Sequence, residues 1–379
     1  MPHSFLPQNL LVIRTAQSLT QDQVATTAGI SRIAYRNIES GEAMPRAGTL
    51  ESLAKALKVR VVELVAEHHV LNAVRVRDRV RNKREEILVV VERWLRNYCE
   101  LEELVGARPV FRFEAGITRA QRKSPSVLAE AVRKSVNLEG DAPIRDICGL
   151  LEDNGVKVLP IEVASHDFFG LSVGKQDGGP AVVVNTWERI PVERWIFSAA
   201  HELGHLLMHL DAYEASATEP NEDEEREADL FAAQFLMPDK VFLKEWKDAC
   251  GLPFVDRVLK IKRIFHVSWK TVVYRLVQLG HLHDKAWAQF QAQYKAKHGR
   301  TLTRAEEPHV ADAEYFSGAM VAIRSGNEPN QLSSSEFQED RLRRLVRKAL
   351  EEERITLSRA AEILGRSMTE MRELTRSWV

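Results

Sequence analysis

Along the first 66 residues, apolar side chains recur in short blocks at helical spacing. Leu11, Ile13, Leu19, Val24, Ala25, Ile30, Ile33, Ile38, Leu50, Leu53, Ala54, Leu57 and Val59 mark the blocks, and Gly29, Gly41 and Pro45 break them. That pattern predicts about five short helices, with Thr20 capping the helix that begins at Gln21 and Ser31 capping the next. From Glu67 the chain changes character: the charge run RVRDRVRNKREE passes into ILVVVERWLRNYCELEELVG, closed by Gly106 and Pro109. This stretch reads as a long connecting helix that serves as a solvated linker, a dimer arm or a phosphate-contacting arm.

Asp141 to Leu151 reads as a further helix. GVKVLPIEV, FFGLSV and PAVVVN read as strands of a small sheet, separated by Gly, Asp and Pro. Trp195 to His209, WIFSAAHELGHLLMH, is apolar, rich in small residues and free of Pro, so it reads as a buried helix; Glu225 to Pro238, EREADLFAAQFLMP, reads as a second. After Gly280 come a mixed helical segment and SGNEPNQLSSS, a linker by composition. The last 45 residues then repeat the start: Thr356, Ala361, Gly365 and Leu374 keep the offsets of five, nine and eighteen that relate Thr20 to Ala25, Gly29 and Ile38. A second helical hairpin is expected there.

The fold class expected is multidomain and mainly α. An all-α N-terminal bundle (1–66) and a connecting helix (67–108) precede an α+β domain with a small sheet (109–283), a helical segment with linker (284–332) and a C-terminal helical hairpin (333–379). A chain of 379 residues exceeds one compact core, which agrees with such a division. Charged residues make up 28% and hydrophobic ones 44%, an ordinary soluble composition. Cys99, Cys148 and Cys250 are odd in number and lack paired metal spacing, so neither a disulfide framework nor a cysteine metal site is implied. Without a leader-like start or a run of 18 apolar residues, a cytoplasmic protein with no membrane partner is expected.

The chemistry concentrates in His201-Glu202-Leu203-Gly204-His205. His201 and His205 stand one helical turn apart on one face, where two imidazoles can chelate one ion. Glu202 can then reach a water at that ion without being a ligand, the division of labour of a zinc hydrolase. Glu225 is the expected third ligand, with Asp229 four residues on accepting a proton from the far nitrogen of a ligand imidazole. Glu227 is the rival, but it points about 200° away from Glu225 on an ideal helix. His209 continues the row, yet it lies ~12 Å along the axis from His201, too far for both to hold one ion, and reads as supporting or structural. An acidic run of Glu214, Glu219, Glu222, Asp223, Glu224 and Glu225 also suits a solvated helix start. Tyr213, Tyr274 and His266 are the available oxyanion donors. PAVVVN is the candidate edge strand for binding a substrate backbone, with a plain core strand as the alternative.

HELGHLLMH followed about twenty residues on by EREADLFAAQFLMP resembles the ImmA/IrrE family of zinc-dependent peptidases, from about Val110 to Leu282. LTQDQVATTAGISRIAYRNIESGEAMP resembles the helix-turn-helix of the XRE (Cro/CI-type) repressors. That second resemblance implies a helix entering the major groove of double-stranded operator DNA. It would present Ser31, Arg32, Ala34, Tyr35 and Asn37 while burying Ile33 and Ile38; Gln21 would meet phosphate, and Arg36 either phosphate or base. The unit carries a charge of only +2, so a homodimer is expected. Together the resemblances imply a DNA-binding regulator whose zinc peptidase cuts a repressor-like protein, with Zn2+ on His201, His205 and Glu225. The contrasting expectation is a DNA-bound repressor, or the antitoxin partner of a toxin, in which the zinc domain is a sensor or structural body with little turnover.

Overall fold

The computed structural model describes residues 5–17, 19–65, 74–76, 84–138, 142–209, 221–303, 306–308 and 332–378. Its contacts divide the chain into two compact units, Met1–Asn72 with Val80–Glu100, and Ala73–Arg79 with Leu101–Val379. The second unit therefore takes in the C-terminal helices as well as the sheet. Among the described residues, no helix is long and apolar enough to cross a membrane.

In the first unit the apolar blocks fold as α1 (Leu6–Ala16), α2 (Gln21–Ala28), α3 (Arg32–Glu39), α4 (Ala47–Ala56) and α5 (Val61–Val65). Thr20 and Gln23 form a reciprocal capping box at the start of α2, and Gly29 ends that helix in the left-handed region at φ 70°. Ser31 then accepts the Ala34 N–H and starts α3 two residues later. Leu10, Val24, Ala25, Tyr35, Leu53 and Leu57 are fully buried and lock the bundle.

The connecting segment departs from expectation. It is not one helix: Val74–Val76 forms strand β1, and a separate helix, α6, covers Arg84–Leu104. The Val-Arg-Val alternation has the two-residue period of a strand, and the charge run overrode it in the sequence reading. Residues 67–73 and 77–83 lie outside the described residues.

In the second unit β2 (Lys157–Ile161), β3 (Gly170–Val173) and β4 (Ala181–Asn185) join β1 in one sheet of order β1-β3-β4-β2. β2 runs parallel to β4; β3 is antiparallel to both its neighbours. PAVVVN is thus an interior strand, and the expectation that it binds substrate as an edge fails. Its five residues are buried because both flanks are already paired. Helices α7 (Arg119–Arg122), α8 (Pro125–Ser135) and α9 (Ile147–Asp153) lie between β1 and β2 along the chain. α10 (Val192–Met208) packs on β3 and β4, and α11 (Glu222–Leu236) packs on α10 and α8. Arg122 donates to the Leu207 carbonyl and Arg133 to the Phe235 carbonyl at 2.8 Å, so α7 and α8 satisfy the open C-terminal ends of α10 and α11.

Helices α12 (Asp239–Asp248), α13 (Phe254–Phe265), α14 (Trp269–Gln278) and α15 (Ala286–His298) extend the same core, where Trp269 stacks on Phe290. Most of the expected linker after Gly280 lies outside the described residues. The C-terminal repeat folds as α16 (Arg341–Glu351), α17 (Leu357–Ile363) and α18 (Met368–Arg376). Thr356 caps α17, Gly365 turns the chain at φ 62° and Ser367 caps α18, the order seen at Thr20, Gly29 and Ser31.

Glu152 and Glu102, both buried, hold this tail. Glu152 accepts the backbone N–H groups of Asp340 and Arg341 at 3.0 and 2.9 Å, and burial raises it to about 7. Burial likewise raises Glu307, which faces Lys262, to about 7. Glu102, its side chain fully buried, meets Lys157 at 3.2 Å and Arg341 at 2.6 Å. Removing one partner of a buried ion pair leaves the other charges uncompensated. Glu102→Ala should therefore cost roughly 3–5 kcal/mol in chemical denaturation of the full chain, against about 1 kcal/mol or less for the exposed pair partner Glu351→Ala.

Candidate metal centre and nucleic-acid helix

Helix α10 has a Pro at its N-cap, Glu193 in its first turn and small residues along one side. Those small residues decide how close α11 can come. A Cβ at Gly204 would stand 3.0 Å from the Phe231 ring and 3.4 Å from the Ala228 Cα, so the glycine lets the two helices approach with little between them. The approach brings Glu225, in the first turn of α11, over the His201 and His205 pair.

The two Nε2 atoms are 3.0 Å apart, and the Glu225 carboxylate lies 3.5 Å from His201 and 3.2 Å from His205. One donor atom from each residue falls within 4.8 Å of the others, a group able to hold a metal ion. Two donors bound at the Zn–N length of a tetrahedral site would be about 3.3 Å apart, and the observed edges bracket that value. The donor chemistry fits as well: two imidazole nitrogens and a carboxylate leave a fourth position, the composition of catalytic rather than structural zinc sites.

Each imidazole is oriented from behind. His201 Nδ1 lies 2.8 Å from Asp229, and His205 Nδ1 lies 2.9 Å from His209, whose Nε2 in turn meets Glu227 at 2.9 Å. Glu227 thus faces His209, and Glu225 alone of the two rivals faces the imidazole pair. His209 is the C-cap of α10 and buried, and its link to His205 is the part that spacing along the sequence left open. Burial pushes His201 down, but the carboxylates of Asp229 and Glu225 outweigh it and raise the ring to about 9. Burial pushes Glu225 up, and the two imidazoles outweigh it and hold its carboxylate far below the usual range. The pocket is therefore electronegative and suited to a cation.

Glu202 is buried one position along α10 and points toward β3. Ser172 Oγ donates to its Oε2 at 2.7 Å, and a Cβ at Gly170 would come within 3.3 Å of its Oε1. Ser172 and Gly170 escaped the sequence reading because only the sheet register brings them beneath the helix. Of the oxyanion candidates, Tyr213 lies outside the described residues, Tyr274 is half exposed on α14, and His266 caps α13 in the left-handed region. Burial, reinforced by Arg145 and Lys262, pushes His266 down to about 4, leaving it neutral at pH 7.

In the first unit, α3 requires a correction. Tyr35 is fully buried and donates its hydroxyl to Glu39 at 3.0 Å, whereas Ile33 is 69% exposed. The reason is geometric: Ile33 and Ile38 are five apart, about 140° around a helix, while Tyr35 and Ile38 are three apart and share a face. Glu39 gathers Arg14 at 2.6 Å and Gln21 at 2.5 Å, so the Gln21 amide is bound within the bundle. Ser31, Arg32 and Arg36 are exposed; Asn37 is half-buried and accepts from Arg36 at 3.3 Å. The outward face of α3 is therefore Arg32, Ile33 and Arg36, with Asn37 at its margin.

A capped helix-turn-helix bundle and an α+β domain carrying a His-Glu-His-Glu constellation define a DNA-binding module joined to a metallopeptidase-like domain. The family comparisons agree: residues 11–64 match the helix-turn-helix model, and residues 151–277 match a peptidase model described as the IrrE N-terminal-like domain. The chain thus joins a segment similar to the XRE-type helix-turn-helix to a segment similar to the ImmA/IrrE domain. No curated protein and no solved structure matches it.

The helix approach yields a test. Gly204→Val should force α10 and α11 apart, destabilising the second unit by roughly 1–3 kcal/mol and weakening Co2+ binding at least tenfold in a chelator competition. Unchanged Co2+ affinity would show that the helix spacing does not set the donor geometry.

Proposed function

We propose that the chain is a DNA-binding transcription regulator whose second unit is a zinc-dependent peptidase acting on a repressor-like protein. The observation that carries this reading is the meeting of His201, His205 and Glu225 from two helices, with the Glu202 carboxylate held beside them by Ser172. Zinc held by His201, His205 and Glu225 would supply Lewis acidity and lower the pKa of a water beside it. The chain's residues do the rest. Glu202 takes the proton of the attacking water and passes it to the departing amine. Asp229 and the His209–Glu227 pair fix which nitrogen of each imidazole faces the ion. Ser172 keeps one Glu202 oxygen engaged and so fixes the carboxylate's rotamer.

In the first unit the proposed groove-facing residues are Ser31, Arg32, Ile33, Arg36 and Asn37. Arg32 and Asn37 supply donors and acceptors for base edges, and exposed Ile33 suits a thymine methyl. Tyr35 serves the bundle interior. The small net charge of the unit favours action as a homodimer.

Two experiments test the reading. Purified protein loaded with one zinc per chain should cleave an XRE-type repressor, and Glu202→Gln should bind zinc equally while losing roughly 100-fold or more of the cleavage rate; equal cleavage by both, or none by either, rejects the peptidase. Binding to the promoter upstream of its own coding region should lose about 1–3 kcal/mol of base discrimination for each of Arg32→Ala and Asn37→Ala. Sequence preference that survives both substitutions would remove α3 as the reading helix.

A further inference from the structure

The strand beside the proposed general base is β3. Ser172 and Gly170, two residues apart on it, both approach Glu202, and one edge of β3 is taken by β4. The other edge is the place where an extended peptide could add as a strand next to the reacting centre, with main-chain groups giving affinity. That edge is occupied by the chain itself. β1 pairs antiparallel with β3 in the register Val74 with Val173, Arg75 with Ser172 and Val76 with Leu171. Arg75 thus stands at the register position opposite the serine that holds Glu202.

The source of this strand matters. Ala73–Arg79 belongs with the second unit, while the residues on both sides of it, Met1–Asn72 and Val80–Glu100, belong with the first. The connecting segment therefore supplies, at Val74–Val76, the outer strand of the peptidase sheet. Three residues make a short ladder, at the low end of strand lengths, and such a strand is displaceable. Its tether compensates, because an attached segment competes at an effective concentration on the order of millimolar.

We propose that the outer edge of β3 is the peptidase's binding site for an extended peptide backbone, and that Val74–Val76 occupies it as a built-in competitor. This rests on the peptidase reading for its consequence, since a covered edge means low basal turnover, but strand binding itself needs neither metal nor cleavage. A protein substrate gains access only when β1 leaves.

The test uses the full chain without added metal and a fluorescein-labelled peptide of residues 71–82, LNAVRVRDRVRN, as probe. Arg75→Pro removes a main-chain donor in the middle of β1 and cannot maintain the ladder. Binding of the probe by anisotropy should be at least tenfold tighter in Arg75→Pro than in the unaltered chain. Val74→Gly with Val76→Gly, which keeps every N–H but lowers strand preference, should fall between the two; near-ultraviolet circular dichroism of the buried tryptophans checks that each variant is folded. Equal probe affinity in all three folded proteins, or no binding by any, overturns the proposal whatever the outcome of the cleavage assay. Cleavage of the zinc-loaded chain within residues 73–79 would also overturn it, since the segment would then be a substrate and not a competitor. A cleavage assay that fails while the probe distinguishes the variants would instead count against the peptidase alone.

Discussion

The second unit depends on how closely α10 and α11 can approach. Neither helix holds a complete set of donors: one carries two imidazoles and the other a carboxylate, and the set exists only where Gly204, facing the Ala228 backbone and the Phe231 ring, lets the two helices come close. Burial would drive His201 neutral and Glu225 protonated, so the cluster keeps its charge only because each group supplies the other's counter-charge. Arg122 and Arg133 close the far ends of the same two helices, so the geometry is fixed at the ends as well as at the crossing.

A second constraint comes from the sheet. β3 lies under α10 and lends Ser172 to Glu202, which ties the position of the carboxylate to strand register, not to helix packing alone. A one-residue slip would put Leu171 or Val173 where the serine stands and bury an acid among aliphatic chains. β1 completes the pairing of β3 and thereby contributes to that register from a part of the chain that composition assigned to a linker.

Much of this was legible in the amino-acid pattern because it is local. Caps at Thr20 and Ser31, the turn at Gly29 and its repeat at Gly365 depend on neighbours a few residues away, and the helical spacing of His201, His205, Glu225 and Asp229 fixes their faces. What pattern reading missed is non-local or was counted wrongly. The interior position of β4 follows from pairing with strands on both sides, which no single run of Val residues reveals. The Glu202 partner Ser172 lies thirty residues away across a sheet. The reversal of Ile33 and Tyr35 is different in kind: residue spacing contained the answer, and the greater hydrophobicity of Ile outweighed the 100° step. Tyr35 is buried because its hydroxyl has Glu39 to satisfy it.

Two buried carboxylates give the second unit an unusual electrical character. Glu152 and Glu307, both raised to about 7 by burial, bind protons more tightly in the folded chain than in the unfolded one. By linkage, the stability they contribute is complete below the ordinary carboxyl range near pH 4.5 and is lost as pH climbs through 7. Most proteins lose carboxylate-based stability on acidification; these two side chains work in the opposite sense, and at Glu152 slight alkalinity loosens the seam where Asp340 and Arg341 join the body.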